Sequence, residues 1–228
     1  MLVAMVATAF AQIGAKAKDW SFSLSTTVTS EYIGGTGGGL FSDQPCWQTG
    51  FTAFHKSGYY AGVWRSVPVD PKYANSFANE ADYYLGYCKD FGEVSIDLSV
   101  ALYDFVPASD MYGFAVIISA NSGKVKPYAR VEYDAAQSSR MAPLCIWKVG
   151  AKGGVPKTPL KWDLWLLGRP YSTGKRETLS AAKLQLCWPI NIGHGGTVTP
   201  AILLQEPFRG GGPTTGHQVY SISYGIRF

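Results

Sequence analysis

The stretch that decides the fold is His217-Gln218-Val219-Tyr220-Ser221-Ile222-Ser223-Tyr224-Gly225-Ile226-Arg227-Phe228. From Tyr220 onward every second residue is aromatic or aliphatic: Tyr220, Ile222, Tyr224, Ile226 and Phe228. Between them lie Ser221, Ser223, Gly225 and Arg227. A period of two means a strand with one apolar and one polar face. The apolar set, ending on Phe228, has the form of the signal that the outer-membrane barrel-assembly machinery reads by strand addition. It predicts a last strand that is both a wall element and an assembly signal.

Working outward, the same alternation recurs. Trp20-Ser21-Phe22-Ser23-Leu24-Ser25 opens the first strand, continuing with Thr26, Val28, Ser30 and Tyr32 opposite Thr27, Thr29 and Glu31. Ile96, Leu98, Val100 and Leu102 oppose Ser95, Asp97 and Ser99. Val125, Pro127, Ala129, Val131 and Tyr133 oppose Lys126, Tyr128, Arg130 and Glu132. Leu160, Trp162, Leu164 and Leu166 oppose Lys161, Asp163, Trp165 and Arg169. Twelve strands are predicted: 20–33, 46–55, 59–67, 79–88, 94–104, 111–120, 125–134, 145–152, 160–169, 179–188, 197–205 and 217–228. Most match the roughly 9–11 residues of a tilted membrane-spanning strand.

The connections carry a second signal. Short links (56–58, 89–93, 121–124, 153–159, 190–196) follow even-numbered strands. Mostly longer ones (34–45, 68–78, 105–110, 135–144, 170–178, 206–216) follow odd-numbered strands. That is the arrangement of periplasmic turns on one rim and extracellular loops on the other. An even strand number puts both ends of the barrel on the periplasmic side. The predicted class is all-β: a transmembrane antiparallel up-and-down β-barrel of about twelve strands. A soluble sandwich would alternate too, but its core excludes charges such as Asp97, Arg130 and Asp163 deep inside strands.

Composition agrees. The 228 residues are 46% hydrophobic yet only 16% charged, against roughly 25% charged in soluble domains. Apolar residues are dispersed rather than gathered into the ~18-residue run of a membrane helix. Residues 1–11 read as the remnant of a signal peptide, with Ala9-Phe10-Ala11 as a small-x-small cleavage site. Residues 12–19 read as an N-terminal periplasmic segment and 20–228 as the barrel.

Three segments carry a family resemblance: Ser30-Glu31-Tyr32, Ser57-Gly58-Tyr59-Tyr60-Ala61-Gly62-Val63-Trp64, and Glu80-Ala81-Asp82-Tyr83-Tyr84-Leu85-Gly86-Tyr87. They resemble the opening hairpins of an uncharacterised family of bacterial outer-membrane proteins labelled glycine–cysteine–tryptophan, porin-like and TorF-type. Ile33-Gly34-Gly35 departs from that family's usual FRG. The resemblance covers about the first 90 residues and implies a barrel in the outer membrane, without catalytic residues to carry over.

The inward face is expected to carry Glu31, Asp82, Asp97, Lys126, Arg130, Glu132, Lys148, Lys161, Asp163, Arg169, Lys183 and Arg227. Cations modestly outnumber anions among them. Two readings follow. One is a narrow, weakly anion-preferring pore for small hydrophilic solutes. The other is a salt-bridged plug inside a structural or surface-interaction barrel. A dozen strands lie between the roughly eight that side chains fill and the 16–18 that leave a water channel.

No enzyme is expected, because His55, His194 and His217 are spread over both rims without a converging nucleophile. No metal or cofactor is expected, since no C-x-x-C occurs. Cys46 with Cys145 and Cys88 with Cys187 lie six strands apart, too far to bridge, so no disulfide is predicted. Gly34–Gly39 and Gly210–Gly212 read as flexible loops. The expected partners are outer-membrane lipid, the assembly machinery and a small solute. The scattered net charge of +4 excludes a nucleic-acid surface.

Overall fold

The computed structural model describes residues 19–34, 39–106, 108, 110–136, 143–172, 175–208 and 216–228, and only the backbone of 136, 169–172 and 175–178. The expected segments at 1–11 and 12–18, and most of both glycine runs, lie outside the described residues.

Among the described residues the strands are β1 (Trp20–Thr29), β2 (Tyr32–Ile33), β3 (Leu40–Ser42), β4 (Cys46–His55), β5 (Tyr59–Pro68), β6 (Glu80–Phe91), β7 (Val94–Phe105), β8 (Met111–Ala120), β9 (Val125–Ala136), β10 (Leu144–Gly154), β11 (Lys161–Ser172), β12 (Lys175–Cys187), β13 (Ile190–Gly193), β14 (Gly196–Pro207) and β15 (His217–Arg227). A 3-10 turn, Pro71–Tyr73, is capped by the Asp70 side chain.

Twelve of these strands, β1, β4 to β12, β14 and β15, pair with their neighbours and close into an antiparallel up-and-down barrel. Closure runs through β15, which pairs with β14 on one side and β1 on the other. Thus Val28, Ile222 and Pro200 form one continuous row.

Each predicted strand has a counterpart, with three differences. The first strand ends at Thr29 instead of residue 33, and Tyr32–Ile33 pairs with Leu40–Ser42 as a separate hairpin. Thr29 Oγ1 donates to the Glu31 carbonyl (2.8 Å), and Ser30 Oγ accepts from the Tyr220 N–H (3.0 Å), so the backbone turns off the wall. The link at 170–178 shrinks to 173–174, because β11 and β12 stay paired out to Ser172 and Lys175. The link at 190–196 is a hairpin, β13 folding back on β14.

One rim carries the short turns and both ends of the barrel; it is the turn rim below. Gly58 and Gly92 shape two of its turns, with φ of 105° and 74°, where a side chain would be strained. The other is the loop rim.

Facing follows the pleat. Outward stand Val63, Leu85, Leu98, Val100, Phe114, Val116, Val131, Val149, Leu164 and Ile222, all exposed. They form an apolar band far larger than the few hundred Å² a soluble monomer leaves bare. Most polar and charged members of the same strands point inward, while Arg65, Lys89 and Asp104, near the rims, share the outward parity.

Candidate functional site

The site is the barrel interior. The cross-strand register puts Asp82, Asp97, Lys126, Arg130, Glu132, Lys148, Lys161, Asp163, Lys183 and Arg227 on the inward face. Glu31 stands just past β1, where its Oε2 lies 3.0 Å from His217 Nδ1. For Arg169 only the backbone is described, in register with Glu177 beyond an irregularity in β11.

Tyrosines and glycines interlock on this face. Tyr60 lies over Gly86, Tyr84 over Gly62, Tyr103 over Gly113 and the Tyr128 hydroxyl over Gly150, so a Cβ at any of these glycines would collide with the tyrosine's ring or hydroxyl. Laid against the wall, the rings send their hydroxyls to polar partners. Tyr60 donates to Asp97 (2.6 Å), Tyr128 to Asp163 (2.7 Å) and Tyr103 to Glu132, while Tyr84 and Thr52 share a bond of 2.6 Å. A cavity of about 480 Å³ near the turn rim is lined by Thr52, Phe54, Tyr60, Tyr84, Cys88 and Asp97.

The two halves of the interior differ. Toward the loop rim, Ser66, Glu80, Glu132, Asp134, Lys183 and Gln205 are buried. Arg130 pairs with Glu132 at 2.6 Å, the carboxylate being 1% exposed. The β2–β3 hairpin folds into this half. The Tyr32 hydroxyl donates to Glu80. Its ring packs on Phe41 and Trp64, with centroids 5.2 and 5.7 Å away, and Phe41 reaches Phe105 at 5.9 Å. Burial among these rings pushes the Tyr32 hydroxyl's pKa up, Glu80 adding to the effect. Toward the turn rim, Asp97, Lys126 and Asp163 keep partial exposure and Lys152 is exposed.

Sequence reasoning missed Glu80, Asp134, Lys152 and the tyrosine set. Glu80 and Lys152 share the parity of Asp82 and Lys148, so extending those two alternations would have found them. The inward hairpin had no such signal, because its partners are distant in sequence.

The four cysteines are free thiols on β4, β6, β10 and β12. His55 Nδ1 lies 2.7 Å from Ser57 Oγ inside one tight turn, and His217 pairs with Glu31. Among the described residues no three potential metal ligands cluster.

A closed twelve-strand wall, apolar outside and polar inside, defines a porin-like barrel. The chain belongs to a bacterial family of unknown function, Gcw_chp, whose model matches residues 14–139. That agrees with the resemblance carried by 30–32, 57–64 and 80–87. No curated protein matches by sequence. Among solved structures, the chain is similar to the KdgM porin, with a TM-score of 0.60 at 9% identity over 91% of this chain and 99% of that one. It is also similar to the NanC porin, with a TM-score of 0.58 at 12% identity over 90% and 98%. At such identities the likeness is one of fold.

Proposed function

We propose that this protein is a porin-like channel of the bacterial outer membrane, narrow and modestly anion-preferring, that passes small hydrophilic solutes. The observation that carries the reading is the sidedness of the wall. An apolar outward band matches hydrocarbon, where a sheet survives only if closed. The inward face meanwhile holds more charge than a packed interior tolerates without water or partners. On this reading the turn rim is periplasmic, the loop rim extracellular, and the outward band contacts outer-membrane lipid. The alternating apolar residues of β15, ending at Phe228, serve the barrel-assembly machinery during insertion. A TorF-type assignment within the family belongs to the same proposal, as does a signal peptide over residues 1–11.

A second reading has its own support. The inward β2–β3 hairpin and the buried charges of the loop-rim half suit a barrel that does not conduct and acts through its surface loops. Planar-bilayer recording separates the two. Stable, salt-dependent current steps that shift when Arg130 or Lys161 is neutralised are expected. A folded, inserted protein without steps would leave the second reading.

A further inference from the structure

The inward face of β9 and β10 breaks a rule of sheet design. Lys126 stands directly opposite Lys152, and Arg130 directly opposite Lys148, with the Tyr128–Gly150 pair between these two rungs. Like charges directly opposite one another destabilise a sheet. Arg130 is compensated by Glu132. Among the described residues no carboxylate comes within salt-bridge distance of Lys126, Lys148 or Lys152. The acid beside them is Asp163, paired in register with Lys152, and it already accepts the Tyr128 hydroxyl.

Two of the three ammonium groups also lie against aromatic rings. Lys148 Nζ lies 4.0 Å from the Trp165 ring centroid and 5.3 Å from that of Tyr128. Lys152 Nζ lies 5.7 Å from the Tyr128 centroid. Aromatic faces hold an ammonium group in place without neutralising it. Three amines thus share one carboxylate on a wall that opens toward the turn rim.

We infer that Lys126, Lys148 and Lys152 form a binding track for a multivalent anion, a small solute bearing two or more carboxylate or phosphate groups. The ammonium groups of Lys148 and Lys152 approach one and the same ring, 5.3 and 5.7 Å from the Tyr128 centroid, so the two rungs present their charges to one region of the lumen. A monovalent ion answers one rung, whereas an anion with separated charges engages both. The inference rests on the channel reading in that the track would lie on the permeation path. Binding itself does not require conduction.

The test is isothermal titration of the purified full-length barrel in detergent at low salt. Inorganic pyrophosphate serves as the phosphate probe and propane-1,2,3-tricarboxylate as the carboxylate probe. Saturable binding of at least one is expected, falling steeply as salt rises. Removing one rung with Lys126→Gln and Lys152→Gln together should weaken it about tenfold or more. Lys56→Gln, on an exposed turn outside the barrel, should leave it unchanged. The probe that binds names the headgroup. Absence of heat from both probes with a barrel folded by circular dichroism overturns the inference. So does equal affinity in the double variant, or an equal loss in Lys56→Gln. A barrel silent in bilayers that still binds would sink the channel reading alone; one that conducts without binding would sink the track alone.

Discussion

Phe22 and Phe228 exchange both of their main-chain hydrogen bonds, the Phe22 N–H reaching the Phe228 carbonyl at 2.7 Å and the Phe228 N–H the Phe22 carbonyl at 3.0 Å. Their rings lie 6.0 Å apart, and Phe22 in turn stacks on Phe51 at 6.0 Å. The first and last wall strands are therefore clasped by backbone and by an outward aromatic row at the turn rim. The clasp ends a β1–β15 ladder running from Thr29 and Ser221 to Ser23 and Arg227, so neither strand presents an open edge, which hydrocarbon does not tolerate.

The clasp predicts a graded response. Phe228→Ala keeps the main-chain bonds and loses the ring contact, worth about 1 kcal/mol beyond area. Deleting Phe228 removes both bonds as well. The heat-modifiable shift of the folded band on unboiled gels should move to slightly lower temperature for Phe228→Ala. It should move further, with a lower yield of folding into vesicles, for the deletion.

Gly86 predicts a packing effect. A Cβ there would meet the Tyr60 ring, which is tied by its hydroxyl to Asp97 and cannot swing away freely. Gly86→Val should destabilise the barrel by about 1–3 kcal/mol. Adding Tyr60→Ala should recover part of that loss, giving a less than additive double variant in urea unfolding in detergent. Full additivity would mean that the ring does not need the glycine.

These two relationships mark where sequence reading succeeds and stops. The wall strands were legible because lipid-facing and lumen-facing residues alternate with a period of two, and Val94–Phe105 or Val125–Ala136 can be sorted by eye. Facing follows the same period, and the register puts Asp97, Arg130 and Asp163 on the inward face. Register was not legible. Nothing local says that Lys126 meets Lys152, or that Tyr60 lies over Gly86, because both depend on turn lengths and the stagger of a closed sheet. The β2–β3 hairpin escaped for a related reason. Ser30, Glu31 and Tyr32 continue the alternation of β1, and only the distant partners Tyr220, Glu80 and Trp64 pull the chain off the wall.

That hairpin narrows the loop-rim half, so loosening it should widen the path. Replacing Tyr32 and Phe41 together by Ala removes the hydrogen bond to Glu80 and the ring contacts to Trp64 and Phe105. Single-channel conductance should rise, while far-ultraviolet circular dichroism stays that of a barrel, because the twelve wall strands lose no ladder bonds. Unchanged conductance in a conducting, well-folded double variant would place the constriction elsewhere.

Glu132 answers both Arg130 and the Tyr103 hydroxyl from a position 1% exposed, so its charge is fixed between two donors. Glu132→Gln leaves Arg130 without its 2.6 Å partner, but Arg130 is 33% exposed and water offsets much of the loss, which should be about 1 kcal/mol. Arg130→Gln alone strands the carboxylate, which is 1% exposed and of its two donors keeps only the Tyr103 hydroxyl, so the loss should be larger, about 3 kcal/mol. The double variant should be more stable than Arg130→Gln alone, since no buried charge is stranded. Equilibrium urea unfolding from lipid vesicles at neutral pH orders the three. The order also bears on selectivity, because Glu132→Gln frees Arg130 beside Lys148 and adds positive charge to the lumen. The reversal potential in a KCl gradient should then move toward chloride for Glu132→Gln and back for the double variant. A reversal potential that ignores both changes would mean that this pair lies off the ion path, leaving the turn-rim lysines to set the preference.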